Sequence, residues 1–157
     1  MKNYAKRQRE SSEGSRVMNE FQGITLSDEK PRIITLCGSS RFCGEMAILA
    51  WEFEKGGVIA LGLHLLPDTY CEHKGMTPDE DGRVHHIGEQ EGVEDAMDAL
   101  HFKKIEMADS IYVVNVNGYI GSSTAREIAY AEHIGKPISY LEPICVPNND
   151  PDSIGLA

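Results

Sequence analysis

Short apolar runs alternate along this chain with stretches of helical periodicity. That pattern predicts an α/β protein: a three-layer, flavodoxin-like or Rossmann-like fold with a mainly parallel sheet of about five strands. Three observations carry the expectation. The run Ile111-Tyr112-Val113-Val114-Asn115-Val116 is almost wholly apolar, as a strand buried on both faces should be. Two Gly/Ser turns, Gly38-Ser39-Ser40-Arg41 and Gly121-Ser122-Ser123-Thr124, each lie between an apolar strand and a helix. Parallel strands joined through helices cross over right-handed, which leaves few other topologies.

The elements follow in order. Residues 1–30 are polar and begin basic, with Lys2, Lys6, Arg7 and Arg9. They read as an N-terminal arm, with 1–20 either flexible or packed on a partner. The domain proper spans 31–142, opening on a strand at 32–37. A helix over 42–55 carries the stripe Met46, Leu49, Ala50 and Phe53, and Gly56-Gly57 stops it. A second strand covers 58–61. Residues 62–88 form a long irregular loop punctuated by Pro67, Gly75, Pro78 and Gly82; loops of such length are usually functional or mobile. A helix over 91–108 sets Met97, His101, Ile105 and Ala108 on one face. The strand at 111–116 leads into the second Gly/Ser turn. A helix over 125–134 ends at Gly135-Lys136-Pro137, and the last strand is 138–141. The tail, 143–157, is rich in Pro and Asp and reads as irregular.

Composition bounds the function. A chain of 157 residues with 41% hydrophobic content suits one ordinary domain with a core. The net charge of −10 argues against nucleic acid as a partner, though not against a nucleotide, whose phosphate feels only the local site. The four cysteines, Cys37, Cys43, Cys71 and Cys145, form no Cys-x-x-Cys pair, which points to a reducing, cytoplasmic compartment. No apolar run is long enough to span a bilayer and no signal-peptide core opens the chain, so no membrane partner is expected.

The two turns carry the chemistry. Each should open a helix and aim free backbone N–H groups at one spot, at the carboxyl ends of strands where open α/β sheets hold ligands. Gly38, Ser39, Arg41, Ser122, Ser123 and Thr124 are therefore candidate binding residues for an anion such as phosphate. The simpler reading of Ser39, Ser40 and Arg41 is a helix cap beside a surface arginine. Glu127 also has two readings. It completes a Thr124-x-x-Glu127 capping box, or it is a carboxylate set at the crevice to stabilise or attack a sugar carbon. His101 is either a satisfied core histidine or a proton carrier titrating near neutrality. His64, just after the second strand, can line the pocket. His64, Cys71, His73, His85 and His86 match no standard zinc spacing, so no metal and no other cofactor is expected.

Three blocks carry a resemblance. They are Ile33-Ile34-Thr35-Leu36-Cys37-Gly38-Ser39-Ser40-Arg41-Phe42, Lys104-Ile105-Glu106-Met107-Ala108-Asp109, and Gly121-Ser122-Ser123-Thr124-Ala125-Arg126-Glu127-Ile128-Ala129-Tyr130-Ala131. Together they resemble the nucleoside 2-deoxyribosyltransferase-like superfamily, which includes 5′-nucleotide N-glycosidases, and within it the small phage and actinobacterial members. The resemblance covers about 32–142, and its last block is the most specific. It implies a flavodoxin-like fold, cleavage of an N-glycosidic bond by hydrolysis or base exchange, and a homo-oligomer, a dimer or a multiple, with sites near subunit contacts. It implies that Glu127 is the catalytic glutamate, that Ser39 and Arg41 bind a 5′-phosphate, and that Ser122 or Ser123 assists. There are two departures. His101 stands where the family usually has an aspartate, and Thr35 where many members have an aromatic residue. These keep open a nucleotide-binding or sensing module without turnover.

Overall fold

A computed structural model describes residues 19–26, 28–64 and 66–144. Residues 1–18, most of the expected arm, and 145–157, most of the expected tail, lie outside them. The chain forms two compact units, one through Pro31 and one from Arg32.

In the first unit, β1 (Asn19–Phe21) and β2 (Ile24–Leu26) pair antiparallel across Gln22-Gly23. Both turn residues have positive φ, 50° and 83°, as a two-residue hairpin turn with the twist of its strands requires. The hairpin corrects the reading of 1–30 as a plain polar arm: strands this short carry too little alternation to register.

The second unit contains four strands, β3 (Ile33–Gly38), β4 (Ile59–Leu61), β5 (Ser110–Val114) and β6 (Ile138–Tyr140), in the order β4-β3-β5-β6. All neighbours are parallel. This is the expected α/β architecture, compatible with a flavodoxin-like three-layer fold, but with four strands in the described sheet rather than about five. The segment between β4 and β5 holds helices and loops. It contains α2 (Asp68–Lys74) and α3 (Ile87–Glu91), where an irregular loop was expected. Gln90 ties these pieces together by accepting from the Thr77 N–H and donating to its carbonyl, and Tyr70 donates to Glu91 at 2.7 Å.

Helix α1 (Cys43–Lys55) covers one face, packing Met46, Leu49, Ala50 and Phe53 on Leu36 and Val114, as its stripe predicts. On the opposite face, α4 (Glu94–Met107) and α5 (Ser122–His133) enclose Cys37, Ile105, Ile111, Val113 and Ala131. Strand alternation does the sorting: Leu36 faces one layer and Cys37 the other. The helix expected at 91–108 is broken at Gly92, which takes φ 70° and ends α3. Met97 lies at the exposed start of α4, not on its buried face.

β3 and β5 are in register to their last pair, Gly38 opposite Val114. Both strands therefore end at one level. The sheet continues to β4 on one side of this pair and to β6 on the other, so their carboxyl ends form the switch-point crevice.

Candidate functional site

The two Gly/Ser turns leave these adjacent strand ends. In the first, Ser39 caps a single 3-10 turn, Ser40–Phe42, its hydroxyl accepting from the Arg41 N–H at 3.4 Å. In the second, β5 stops at Val114 and a short 3-10 turn, Val116–Gly118, follows, so the strand is shorter than the 111–116 apolar run. Buried Asn115 exchanges two hydrogen bonds with the Glu142 backbone, and the Glu142 carboxylate accepts from the N–H groups of Asn117 and Gly118. This lattice fixes the loop on which Tyr119 stands. The Arg41 guanidinium lies 4.4 Å from the Tyr119 ring centroid, and Phe42 meets the same ring edge-on at 5.9 Å. A Cβ at Gly121 would come within 3.3 Å of the Tyr119 hydroxyl. Tyr119 thus joins the two turns. Sequence reasoning passed over it; the signal available was an aromatic residue set between two glycines, Gly118 and Gly121.

Helix α5 begins earlier than expected, at Ser122, with Gly121 as an N-cap that has no side-chain hydrogen bond. Thr124 is therefore inside the helix and buried, and Glu127 lies in the second turn. The capping-box reading of Glu127 fails on this geometry: its carboxylate is not beside the cap N–H. Ser122 and Ser123 stand exposed at the first turn, where Arg126 donates weakly to Ser123 at 3.5 Å.

Beneath the crevice, three buried polar side chains from three elements converge: Cys37 from β3, His101 from α4 and Glu127 from α5. His101 Nε2 lies 3.7 Å from Cys37 Sγ and 3.6 Å from Glu127 Oε1. Within the described residues His101 Nδ1 and Glu127 Oε2 have no partner. Burial pushes the Glu127 carboxyl up to about 7, with Asp98 adding to the effect and the Cys37 thiol and Arg126 opposing it. Burial, helped by the charge of Lys104, holds His101 down to about 4. Burial, then the charge of Glu127, pushes the Cys37 thiol far up. Near neutrality the imidazole is uncharged, so the His101–Glu127 contact is not a fixed ion pair. The group raised toward pH 7 is Glu127; the lowered His101 does not fit the reading as a proton carrier titrating near neutrality.

The remaining candidates are dispersed. Thr35 is fully buried and spends its hydroxyl on the Lys104 carbonyl at 3.0 Å, anchoring α4. His64 is exposed after β4, with no hydrogen bond or ion pair to the cluster or the turns among the described residues. A cavity of about 500 Å³ is lined by Ser39, Ser40, Arg41, Asp79, Glu80, Asp81, His85 and His86. His85 pairs with Asp81 at 2.7 Å, and His86 with Glu89 at 3.1 Å. Among the described residues no helix is long and apolar enough to cross a membrane. No family model, no curated protein and no solved structure matches the chain.

Proposed function

We propose that this protein breaks the N-glycosidic bond of a nucleoside or nucleoside 5′-monophosphate and passes the sugar to water or to a second base. One observation carries the reading. Glu127 sits in the second turn of α5, beneath the switch-point crevice, with a raised pKa, one oxygen against His101 and the other without a partner. As the C1′–N bond breaks, its electron pair leaves with the base. The ionised Glu127 stabilises the positive C1′ or attacks it, and water or a base nitrogen then takes the sugar. Neutral His101 suits an orienting role toward Glu127 better than that of a general acid.

The uncapped N–H groups at the start of α5, with Ser39 and the Tyr119-stacked Arg41, suit a 5′-phosphate. Asp79, Glu80 and Asp81 line the same cavity as Ser39 and Arg41 and oppose a phosphate there. Arg41→Ala separates the cases. A phosphate contact requires a larger loss for monophosphates than for nucleosides, and equal losses remove the anion role.

The defining experiment incubates the protein with panels of nucleosides and monophosphates and measures free base. Glu127→Gln should lower release by roughly 10²-fold or more while the protein stays folded, since Glu127 caps nothing. Wild-type release by a folded Glu127→Gln protein would sink the proposal. The competing reading, a nucleotide-binding module without turnover, draws on the burial of Glu127, only 8% exposed. Tight nucleotide binding with no base released from any substrate would establish it.

A further inference from the structure

The cluster under the crevice has a second chemistry. Cys37, His101 and Glu127 supply a sulfur, an imidazole nitrogen and a carboxylate oxygen, one from each of β3, α4 and α5. Their three donor atoms all lie within 4.8 Å of one another, with the two edges at His101 Nε2 measuring 3.7 and 3.6 Å. Zinc bonds of about 2.0–2.3 Å at tetrahedral angles place ligand atoms roughly 3.3–3.6 Å apart, close to the two edges at His101 Nε2, and a side-chain shift brings the third, within 4.8 Å, onto the same ion. We propose that Cys37 Sγ, His101 Nε2 and Glu127 Oε1 bind one Zn²⁺ per chain, leaving a fourth position for water.

Charge favours the ion. A thiolate and a carboxylate offset the two positive charges, and the neutral imidazole adds none, so the loaded site is neutral in a buried space. On binding, the thiol proton and any proton on the carboxyl go to solvent; no bond is otherwise made or broken and nothing is oxidised. As a plain core, the carboxylate is costly, because Glu127 Oε2 has no partner among the described residues; an ion at Nε2 leaves the Nδ1–H of His101 as it is. Among the described residues this is the one His/Cys/carboxylate group with such spacing. The loop histidines, by contrast, pair singly with Asp81 and Glu89. Binding does not depend on the proposed glycosidic chemistry; only its consequence does. An ion holding Glu127 withdraws it from C1′, so Zn²⁺ should inhibit base release.

The test uses the full chain stripped with chelator, without nucleoside, titrated with Zn²⁺ against a chromogenic chelator and with Co²⁺ by absorption. One equivalent should bind, and Co²⁺ should give tetrahedral visible bands with a sulfur charge-transfer band in the near ultraviolet. Cys37→Ser, nearly isosteric, should abolish the sulfur band and weaken Zn²⁺ by more than about tenfold, the scale on which even outer-shell contacts count. Cys43→Ser should keep both. If Cys37→Ser does not fold, Glu127→Gln serves instead: weaker Zn²⁺ with the sulfur band kept supports the site. Absence of one-equivalent binding, a wild-type chain without the sulfur band, or affinity unchanged in the folded variant overturns the proposal. Base release in chelator is measured separately, so failure of the zinc site and failure of the glycosidase reading are told apart.

Discussion

Burial disfavours the charged form of both His101 and Glu127, lowering the imidazole and raising the carboxyl, and stability should record both. Glu127 has its carboxyl raised from 4.5 to about 7, so between those values the folded chain binds more protons than the unfolded one. Its contribution therefore falls as pH rises through that window. His101 is lowered from 6.5 to about 4, so between those values the unfolded chain binds more protons. Its contribution falls as pH drops. Across the overlap, from 4.5 to 6.5, the two slopes oppose each other. Urea unfolding should show little pH dependence there in the native sequence. Glu127→Gln should leave stability rising with pH, and His101→Asn should leave it falling. Parallel profiles for all three proteins would mean that the pair is not coupled to folding. For the base release proposed above, kcat/KM should rise through about pH 7 as Glu127 ionises, and His101→Asn should not move a limb near neutrality. At this scale the sequence offered His101 and Glu127 but concealed Cys37. A cysteine in an apolar strand reads as a small hydrophobe, and its facing partners come from helices far along the chain. The capping motif at Thr124 misled for a local reason: the helix starts at Ser122, so Glu127 falls in its second turn, past the cap and in the buried cluster beneath the crevice.

Helices and strands were legible where periodicity was long. The α1 stripe and the Gly135-Lys136-Pro137 stop after α5 fall where apolar spacing and breakers put them, and β5 starts within one residue of its apolar run but ends two residues before it does. The short elements were not legible. Helix α2 is polar, begins after Pro67 and is held by contacts with α3, information carried by tertiary pairing rather than by propensity. The strand ends also needed contacts to be understood. Gly38 is required where it stands, because an added Cβ would lie 3.0 Å from the Val114 carbonyl oxygen and 3.1 Å from its Cβ. Both neighbours belong to the central strand β5 and have little room to yield. Gly38→Ala should therefore spread β3 from β5 at the crevice and cost about 1–3 kcal/mol in denaturant unfolding. Gly44→Ala, on exposed α1 with open space around it, is the control and should be neutral or slightly stabilising. Equal effects at the two positions would remove the close-approach argument.

Over the second unit as a whole, apolar surface is left on α4. Val93, Met97, Leu100 and Met107 recur at helical spacing and stay exposed, Leu100 at 56% and Met107 at 66%. Lys104, in the same stripe, donates to the Gly62 carbonyl just beyond the edge strand β4, so the stripe adjoins exposed Ile59 and Leu63. A continuous face of this kind on one side of a domain is what a two-fold contact covers, and a stable contact needs about 800 Å² per partner. We expect a homodimer through α4. Each chain carries a net charge of −10, so association should weaken at low ionic strength and strengthen with salt. Light scattering across a dilution series should give twice the chain mass, and Leu100→Glu with Met107→Glu should give one chain mass with the fold intact. Trp51, 63% exposed on α1 across the sheet from α4, is the internal control: its emission should not change with association. A dimer that survives the two glutamates while Trp51 emission shifts to the blue would move the contact to α1, and a chain that stays monomeric at high salt would end the expectation.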